Sequence, residues 1–396
     1  MKKKKMIALA LALVMCVALL AACGNGDGGS GGDAAVTEVS IGLLANLTGS
    51  VSHFGESVQR GAMLYINEFN ARGGLQIVTH TRDDQQDPGI ALTMYHDLVD
   101  QGVNAIIGCV ISGTTMAVVP EAFNDGMPMI SASATAAGVT VNQDTGEVFT
   151  NMFRSCFIDP FQGTKMADFA YEILGARTVA VLYSNEIDYS IGLMQAFVDR
   201  SRELGMQIVS EQVFAAEAAD FMAQLTNIAA ANPDALFVPG YIQHVALIGP
   251  QSVAAGLTAT LLGADGWTGS LDVVADASTI EGAFHMTGFT TETEDQLALS
   301  FIEGYRAAYG ADVTPDMFAA QAYDAAMILI AAIEKALADG HRPGTDAFRA
   351  AIISNMAATD LVGVTGRITY DRYNNPQKTA VILRIENGVA RFWGMF

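Results

Sequence analysis

The stretch TVAVLYSNEIDYSIGLMQAFVDRSRELGMQIVSEQVF, residues 178–214, predicts a strand, a helix and a second strand in succession. The first strand is the apolar run Thr178–Tyr183, and Ile191–Leu204 then repeats apolar residues at helical spacing until Gly205. Gln207–Phe214 completes the unit as the second strand. Two strands joined through such a helix lie parallel in one sheet, because a right-handed crossover packs the helix back onto that sheet.

The same alternation occupies most of the chain in two runs. The first run predicts strands at Val39–Ala45, Leu75–His80, Asn104–Val110 and Met127–Ser131, with helices ending near Gly73 and Gly102. The second run, after Asp159, adds helices at Phe161–Leu174, Phe221–Ala231 and Val245–Ala255 and strands at Ala235–Val238 and Thr258–Gly263. We therefore predict an α/β protein with two doubly wound parallel-sheet lobes. Ligands of such sheets bind beyond the carboxyl ends of the strands.

The composition excludes several classes of protein. The chain has 396 residues with 42 acidic side chains and 21 Lys or Arg, which gives a formal net charge of −21. Without a leader ending at Ala22, the remaining 374 residues (396 − 22) carry 17 basic and 42 acidic side chains, or −25. Such a surface repels phosphate backbones, so no nucleic-acid binding is expected. A hydrophobic content of 51% excludes intrinsic disorder.

The N-terminus predicts an export signal followed by a tether. Lys2–Lys5 precede the uncharged apolar run Met6–Ala22, whose 17 residues are at the lower limit for spanning a bilayer. The run ends in Leu-Ala-Ala-Cys, which resembles a bacterial lipobox. Residues 1–22 are therefore interpreted as a lipoprotein signal peptide, Cys23 as the lipidated N-terminus, and the Gly-rich residues 23–35 as a flexible tether. The expected location is outside the cytoplasm, lipid-anchored to the bacterial cell membrane; a plain secretory signal with an incidental Cys is the alternative.

Short motifs follow one another in a specific order after residue 39. They are Leu47-Thr48-Gly49, His53-Phe54-Gly55, Gly61-Ala62, Ile66-Asn67, Gly73-Gly74, Arg82-Asp83-Asp84, Asp87-Pro88, Ile106-Ile107-Gly108, Ser112-Gly113-Thr114-Thr115 and Met129-Ile130-Ser131-Ala132-Ser133-Ala134-Thr135. With these motifs the chain resembles the leucine/isoleucine/valine-binding proteins of bacterial amino-acid importers, a branch of the type I periplasmic binding proteins. No single motif is decisive; their order and spacing are.

The resemblance implies two lobes joined by three crossing segments, which close on a ligand like a flytrap. The crossings are expected near Ser155–Asp159, Met286–Thr290 and Arg367–Asp371. The lobes are then discontinuous in sequence. The N-terminal lobe is expected to comprise residues 36–156 and 288–368, and the C-terminal lobe residues 157–287 and 369–396.

Two clusters of small polar residues follow strands of the first run. Ser112 comes after the strand Asn104–Val110, and Ser133, Ala134 and Thr135 come at the end of the strand Met127–Ser131. Hydroxyls and backbone N–H groups at strand ends can bind a carboxylate, helped by a helix N-terminus if one begins nearby. The resemblance implies that Ser112, Ser133 and Thr135 hold an α-carboxylate and part of an α-ammonium group. Ordinary turns and helix caps are the alternative interpretation.

The second run supplies the remaining candidates. Asp265 follows the strand Thr258–Gly263, where a carboxylate can pair with a ligand ammonium group once the lobes close. The family commonly has Glu there, and Asp is one methylene shorter. The resemblance implies that Tyr189 and Tyr241 cover the ligand from the second lobe, and that Phe54 and Phe318 face its side chain from the first. A turn-forming Asp and core aromatic residues are the alternatives.

These candidate ligand-binding residues together suit a zwitterion, because they include hydroxyl groups and one carboxylate but no Lys or Arg. The expected function is capture of a neutral L-amino acid, branched-chain, other aliphatic or aromatic, and its delivery to the permease subunits of an ABC importer. We expect a monomer that is not an enzyme and needs no cofactor. An amino-acid sensor or chemoreceptor partner with the same fold is the alternative; a hydrolase would need a nucleophile–base pair, and none is evident.

The sequence shows no pattern typical of a metal site, a nucleotide-binding site or a nucleophilic active site. The six histidines show no pair at metal-ligand spacing, and no nucleotide-binding glycine loop or nucleophile elbow follows a strand. The acidic cluster Asp83, Asp84 and Asp87 lacks the calcium-loop pattern. Cys109 and Cys156 can pair as a disulfide or remain buried thiols, and the sequence leaves both open.

Overall fold

Two parallel sheets form the framework of the protein, as a computed structural model shows for residues 36–396. The predicted signal peptide, Cys23 and the tether lie outside these described residues. The first sheet contains β1 (Glu38–Ala45), β2 (Gln76–Asp83), β3 (Ile106–Gly108), β4 (Met129–Ser131) and β5 (Met152–Arg154), in the order β2-β1-β3-β4-β5. All its pairings are parallel, as the alternation predicts. We call the part of the molecule built on this sheet the first lobe.

Three helices follow strands of the first sheet. They are α1 (Ser52–Ala71), α2 (Pro88–Asp100) and α3 (Ser112–Asn124). Each begins soon after the carboxyl end of a strand, so the loops between strand and helix meet at one edge of the sheet. Asp87 caps α2 by accepting hydrogen bonds from the N–H groups of Gly89 and Ile90, which explains why this helix starts at Pro88.

The second sheet has seven strands and defines the second lobe. Five are parallel: β6 (Thr178–Ser184), β7 (Gln207–Phe214), β8 (Ala235–Phe237), β9 (Thr260–Gly263) and β10 (Phe284–Thr287). The helices α4 (Asp159–Glu172), α5 (Asp188–Glu203), α6 (Met222–Ala231) and α7 (Ile242–Ala254) cover this sheet. A short helix, α8 (Ser270–Val273), follows β9. The doubly wound parallel architecture predicted for this run is confirmed.

The C-terminus adds antiparallel strands to the second sheet. The sequence alternation did not predict them. In chain order the remaining elements are α9 (Gln296–Tyr309), α10 (Met317–Ala338), α11 (Asp346–Ala357), β11 (Asp360–Gly363), β12 (Gly366–Thr369), β13 (Val381–Glu386) and β14 (Val389–Met395). The strand order of the sheet is β14-β13-β10-β9-β8-β6-β7. Asn387 and Gly388 have φ of 54° and 71°, the left-handed values that a tight hairpin between β13 and β14 requires.

Helix α10 is the central helix of the first lobe, although it lies near the end of the chain. It packs so closely on α1 that a Cβ atom built on Gly61 would be 2.0 Å from the Ala319 carbonyl oxygen. Among the described residues, α10 alone is long and apolar enough to cross a membrane. Because 78% of its most apolar window is buried inside the protein, it is better explained as a core helix.

The chain passes between the lobes after β5, after β10 and before β13. Tyr370 still packs on Phe153, with ring centroids 5.1 Å apart, and Asn374 donates a hydrogen bond to the Met152 carbonyl. These contacts favour a third passage that lies after Asn374. The residue boundaries predicted for the two lobes, 36–156 with 288–368 and 157–287 with 369–396, stay predictions.

Candidate ligand-binding site

Uncapped helix N-termini from both lobes surround the space between the sheets. Helices α3, α4 and α5 are preceded by Ile111, Ile158 and Ile187, and none of these side chains can accept a hydrogen bond from the first turn. The first N–H groups of an uncapped helix lack partners and carry partial positive charge. Because α4 and α5 carry Asp159 and Asp188 in their first turns and α3 has no acidic residue there, α3 offers the N-terminus best suited to an anion.

Eight of the nine ligand-binding residues predicted from sequence line a single small cavity between the lobes. Phe54, Ser112, Ser133, Thr135 and Phe318 line it from the first lobe, and Tyr189, Tyr241 and Asp265 line it from the second. Val110, Ile111 and Gly266 complete the lining. Ala134 is the exception: it is fully buried, and the cavity lining does not include it.

The cleft is closed around this cavity. The ring of Phe54 meets that of Tyr241 edge-on across the lobes, with centroids 5.9 Å apart, and His53 Nε2 lies 3.3 Å from the Thr268 carbonyl oxygen. The cavity volume is about 20 Å³, roughly the space that one water molecule needs. An amino acid is several times larger, so the lobes or the lining side chains must move for one to enter.

Two hydroxyl groups at one end of the cavity are free to bind a ligand. Ser112 Oγ accepts a hydrogen bond from Ala136 N at 3.2 Å and keeps its own proton available. Thr135 Oγ1 is buried and makes no hydrogen bond of ordinary length, although the Asp159 carboxylate lies near it. Ser133 differs, because its hydroxyl donates to the Val110 carbonyl at 2.8 Å and so ties the two loops together. Ser112 and Thr135, with the N-terminus of α3, form the end of the site suited to a carboxylate.

Asp265 forms the opposite end. Its Oδ1 accepts hydrogen bonds from Gln162 Nε2 at 3.0 Å, Tyr189 Oη at 2.7 Å and Gly266 N at 3.0 Å, and the residue is 2% exposed. Burial raises the pKa of Asp265 to about 6, although these hydrogen bonds favour the ionised form. A buried carboxylate held in this way is ready to pair with a cation.

Aromatic rings form the remaining walls. Tyr189 and Tyr241 stack with centroids 4.8 Å apart and an interplanar angle of 13°, and Phe54 and Phe318 are 4.5 Å apart. All four rings line one cavity, and their predicted contacts with a ligand stay predictions. Together with Val110 and Ile111 they give the cavity an apolar side that suits a hydrocarbon side chain.

Sequence reasoning missed a second buried carboxylate beside Asp265. Asp159 is fully buried at the start of α4, and the Thr135 hydroxyl is the polar side chain that approaches its carboxylate, from beyond ordinary hydrogen-bond distance. Its backbone N–H donates to the Thr135 carbonyl at 2.9 Å, which fixes it against the first lobe. Burial, and next the negative charge of Asp265, raise the pKa of Asp159 well above its usual value. Its position in a predicted crossing gave no sign that the side chain would be buried.

Within residues 36–396, no group of three or more His, Cys, Asp or Glu side chains is arranged to hold a metal ion. Cys109 and Cys156 are both buried and both free thiols, so the structure has no disulfide between them. Burial raises the pKa of the Cys156 thiol to about 12, and a protonated thiol is a poor nucleophile.

Comparisons with known proteins agree with this geometry. A family model described as "Periplasmic binding protein" matches residues 38–389. The Leu/Ile/Val-binding protein homolog 3 of Brucella melitensis is 26% identical over 306 residues, which cover 76% of this chain and 80% of that protein. The structure of the branched-chain amino acid transporter substrate binding protein LivJ from Streptococcus pneumoniae, in complex with isoleucine, has a TM-score of 0.79 and 31% identity. That match covers 90% of this chain and 99% of the other.

One similar structure has a different kind of ligand. The solute binding protein of an ABC transporter from R. palustris, in complex with benzoate, has a TM-score of 0.80 and 23% identity. The match covers 90% of this chain and 96% of that one. At this identity the likeness shows a shared fold.

Proposed function

Because this chain belongs to the periplasmic binding protein family, in its leucine/isoleucine/valine-binding branch, we propose that it captures a neutral L-amino acid between its two lobes. The proposed ligand has an aliphatic side chain, branched-chain above all, or an aromatic one. The protein would act outside the cytoplasm and deliver this ligand to the permease subunits of an ABC importer.

One observation carries this proposal: a single cavity has a carboxylate-binding end and an ammonium-binding end. Ser112, Thr135 and the N-terminus of α3 lie on one side, and Asp265 lies on the other. No Lys or Arg lines the cavity, so nothing there would neutralise a second carboxylate on the ligand. This arrangement supports a zwitterion with an uncharged side chain over glutamate or aspartate.

The two buried acids also argue against an aromatic acid such as benzoate. That ligand has a carboxylate but no ammonium group, so Asp159 and Asp265 would face it without a cation between them. Burying a carboxylate near two others is costly unless protons are taken up. We therefore propose that benzoate binds far more weakly than leucine.

Isothermal titration of the purified protein with the twenty amino acids and benzoate tests this proposal. We expect binding of leucine, isoleucine, valine or phenylalanine and none of glutamate or benzoate at the same concentrations. Tight binding of glutamate or benzoate, with no response to any neutral amino acid, would contradict the proposal. Loss of amino-acid uptake on deletion of the gene would support a role in import over a role in sensing.

The N-terminal sequence supports attachment through Cys23. The basic residues, the apolar run and the Leu-Ala-Ala-Cys ending are the features of a lipoprotein signal, and the Gly-rich tether would let the body move near the membrane. We expect Cys23→Ser to shift the protein from the membrane fraction to the soluble fraction of the producing bacterium. An unchanged distribution would argue against lipid anchoring at this residue.

A further inference from the structure

A buried arginine lies directly behind the loop that carries Thr135. Arg154, the last residue of β5, is fully buried, and the charges of Asp159 and Asp371 act on it from beyond hydrogen-bond distance. Its Nη1 donates to the carbonyls of Ala134 and Ala136 at 2.8 and 3.1 Å. Its Nη2 donates to Thr140 Oγ1 at 3.0 Å. A guanidinium does not lose its proton in a protein, so Arg154 is a buried positive charge whose side-chain hydrogen bonds go to carbonyl and hydroxyl oxygens.

The contact with Ala134 bears directly on the cavity. In a planar trans peptide the C=O and the following N–H point in opposite directions. The Ala134 carbonyl faces Arg154, so the N–H of Thr135 points away from it, on the side of the loop that lines the cavity. No acceptor among the described residues takes that N–H, whereas the N–H groups of Ser133 and Ala134 both reach Ser131 Oγ.

Hydrogen bonds in series polarise one another. A guanidinium donating to the Ala134 carbonyl draws electron density from that peptide and makes the Thr135 N–H a stronger donor. The Cys156 thiol reaches the same carbonyl at 3.6 Å from the same side. Asp265 lies on the second-lobe side of the cavity, whereas Asp159 lies close to Thr135 itself and partly offsets the charge of Arg154.

From this placement we propose that Arg154 is a positioning residue for the ligand carboxylate. It touches no ligand atom. It acts through the Ala134 peptide, holding the Thr135 N–H toward the carboxylate and strengthening that hydrogen bond, and its charge sets which end of a zwitterion lies over this loop. This inference rests on the proposed function, since it assumes a ligand with a carboxylate.

The test compares two probes, L-leucine and L-leucinamide, which differ in the carboxylate and share the ammonium group and the side chain. Affinities of both are measured for the wild-type protein, Arg154→Met and Arg154→Lys, by displacement titration into the millimolar range. We expect Arg154→Met to lower the affinity for leucine at least tenfold and the affinity for leucinamide less than threefold. Arg154→Lys keeps the positive charge but cannot reproduce the guanidinium contacts with the Ala134 and Ala136 carbonyls. We expect it to lower leucine affinity less than Arg154→Met does, and again to affect leucine more than leucinamide.

A spectroscopic measurement covers the case in which leucinamide binds too weakly or Arg154→Met does not fold. In the leucine complex, the amide proton of selectively labelled Thr135 should resonate downfield in the wild-type protein and move upfield in Arg154→Lys. Thr140→Val is the matched control, because it removes the acceptor of Nη2 and leaves the contact with Ala134. We expect it to keep leucine affinity within twofold of wild type.

The inference is overturned by equal losses for both probes, by an unchanged Thr135 amide shift, or by a Thr140→Val loss as large as that of Arg154→Met. Each of these results would mean that Arg154 only holds the loop in shape. If neither leucine nor any other amino acid binds the wild-type protein, the proposed function fails and this inference fails with it. Equal losses with intact wild-type binding contradict the inference alone.

Discussion

At the scale of single residues, the protonation of Asp265 links ligand binding to pH. Its pKa is raised to about 6 by burial, and an ammonium ligand requires the ionised form. Below pH 6 the carboxyl group is protonated before the ligand arrives, so binding must displace a proton. We expect leucine affinity to fall as pH is lowered from 8 through 6 to 5. Titrations at these values check this, and a constant affinity across the range would contradict it.

Replacing Asp265 tests the ammonium end directly. Asp265→Asn keeps the size of the side chain but removes the charge, and it leaves Tyr189 and Gln162 with a weaker acceptor. We expect leucine affinity to fall about ten- to hundredfold, the loss typical of one charge-assisted hydrogen bond. The matched control is Asp199→Asn, an exposed acid on α5 whose side chain is 56% exposed. Affinity within twofold of wild type in Asp265→Asn would mean that the ammonium group binds elsewhere.

Individual binding residues were predictable where a sequence motif marks a strand end. Ser112, Thr135 and Asp265 were chosen as candidates in this way, and the structure brings them to one cavity, while their contacts with a ligand stay predictions. Asp159 and Arg154 were not found, because charged residues are normally exposed and only the packing of both lobes buries these two. Whether a hydroxyl is free or already bonded, which separates Thr135 from Ser133, also depends on coordinates.

At the scale of elements, each lobe has a glycine where two helices cross closely. A Cβ built on Gly61 would be 2.0 Å from the Ala319 carbonyl oxygen, and one built on Gly163 would be 2.6 Å from the Leu193 carbonyl oxygen. We expect Gly61→Ala and Gly163→Ala each to lower the free energy of unfolding by about 1–3 kcal/mol, since the helices must move apart. Urea denaturation measures this. Gly113→Ala, whose Cβ would have no neighbour nearer than 3.8 Å, is the control and should change stability little.

Most elements were predictable because apolar periodicity distinguishes long helices from strands. Gln207–Phe214, for example, matches β7 at both ends. Strand β5 was missed because it has three residues and ends in Arg154, a residue typical of surfaces. The β13–β14 hairpin was missed because β14 alternates polar and apolar residues with most side chains exposed.

At the scale of the whole molecule, a ligand held by both lobes stabilises the folded protein. Binding at a hundred times the dissociation constant adds about 2.7 kcal/mol to the free energy of unfolding. For a body of about 360 residues this corresponds to a rise of about 3–4 °C in Tm. We expect that rise with leucine in differential scanning calorimetry, and a smaller one for Asp265→Asn at the same leucine concentration. Equal shifts in the two proteins would place the stabilising contacts outside this cavity.

The packing of α10 on α1 also determines when the first lobe can form during synthesis. Met317 follows Ala71 by 246 positions (317 − 71), and α1 can pack on β1 and β2 but lacks its main helix partner until α10 has been made. At about 5–20 residues per second, a ribosome needs about 12–50 s for that interval. The second sheet also waits for β13 and β14 at the end of the chain. The first lobe therefore waits for α10 and the second for its last two strands, and until those segments have been made the nascent chain exposes apolar helix surface.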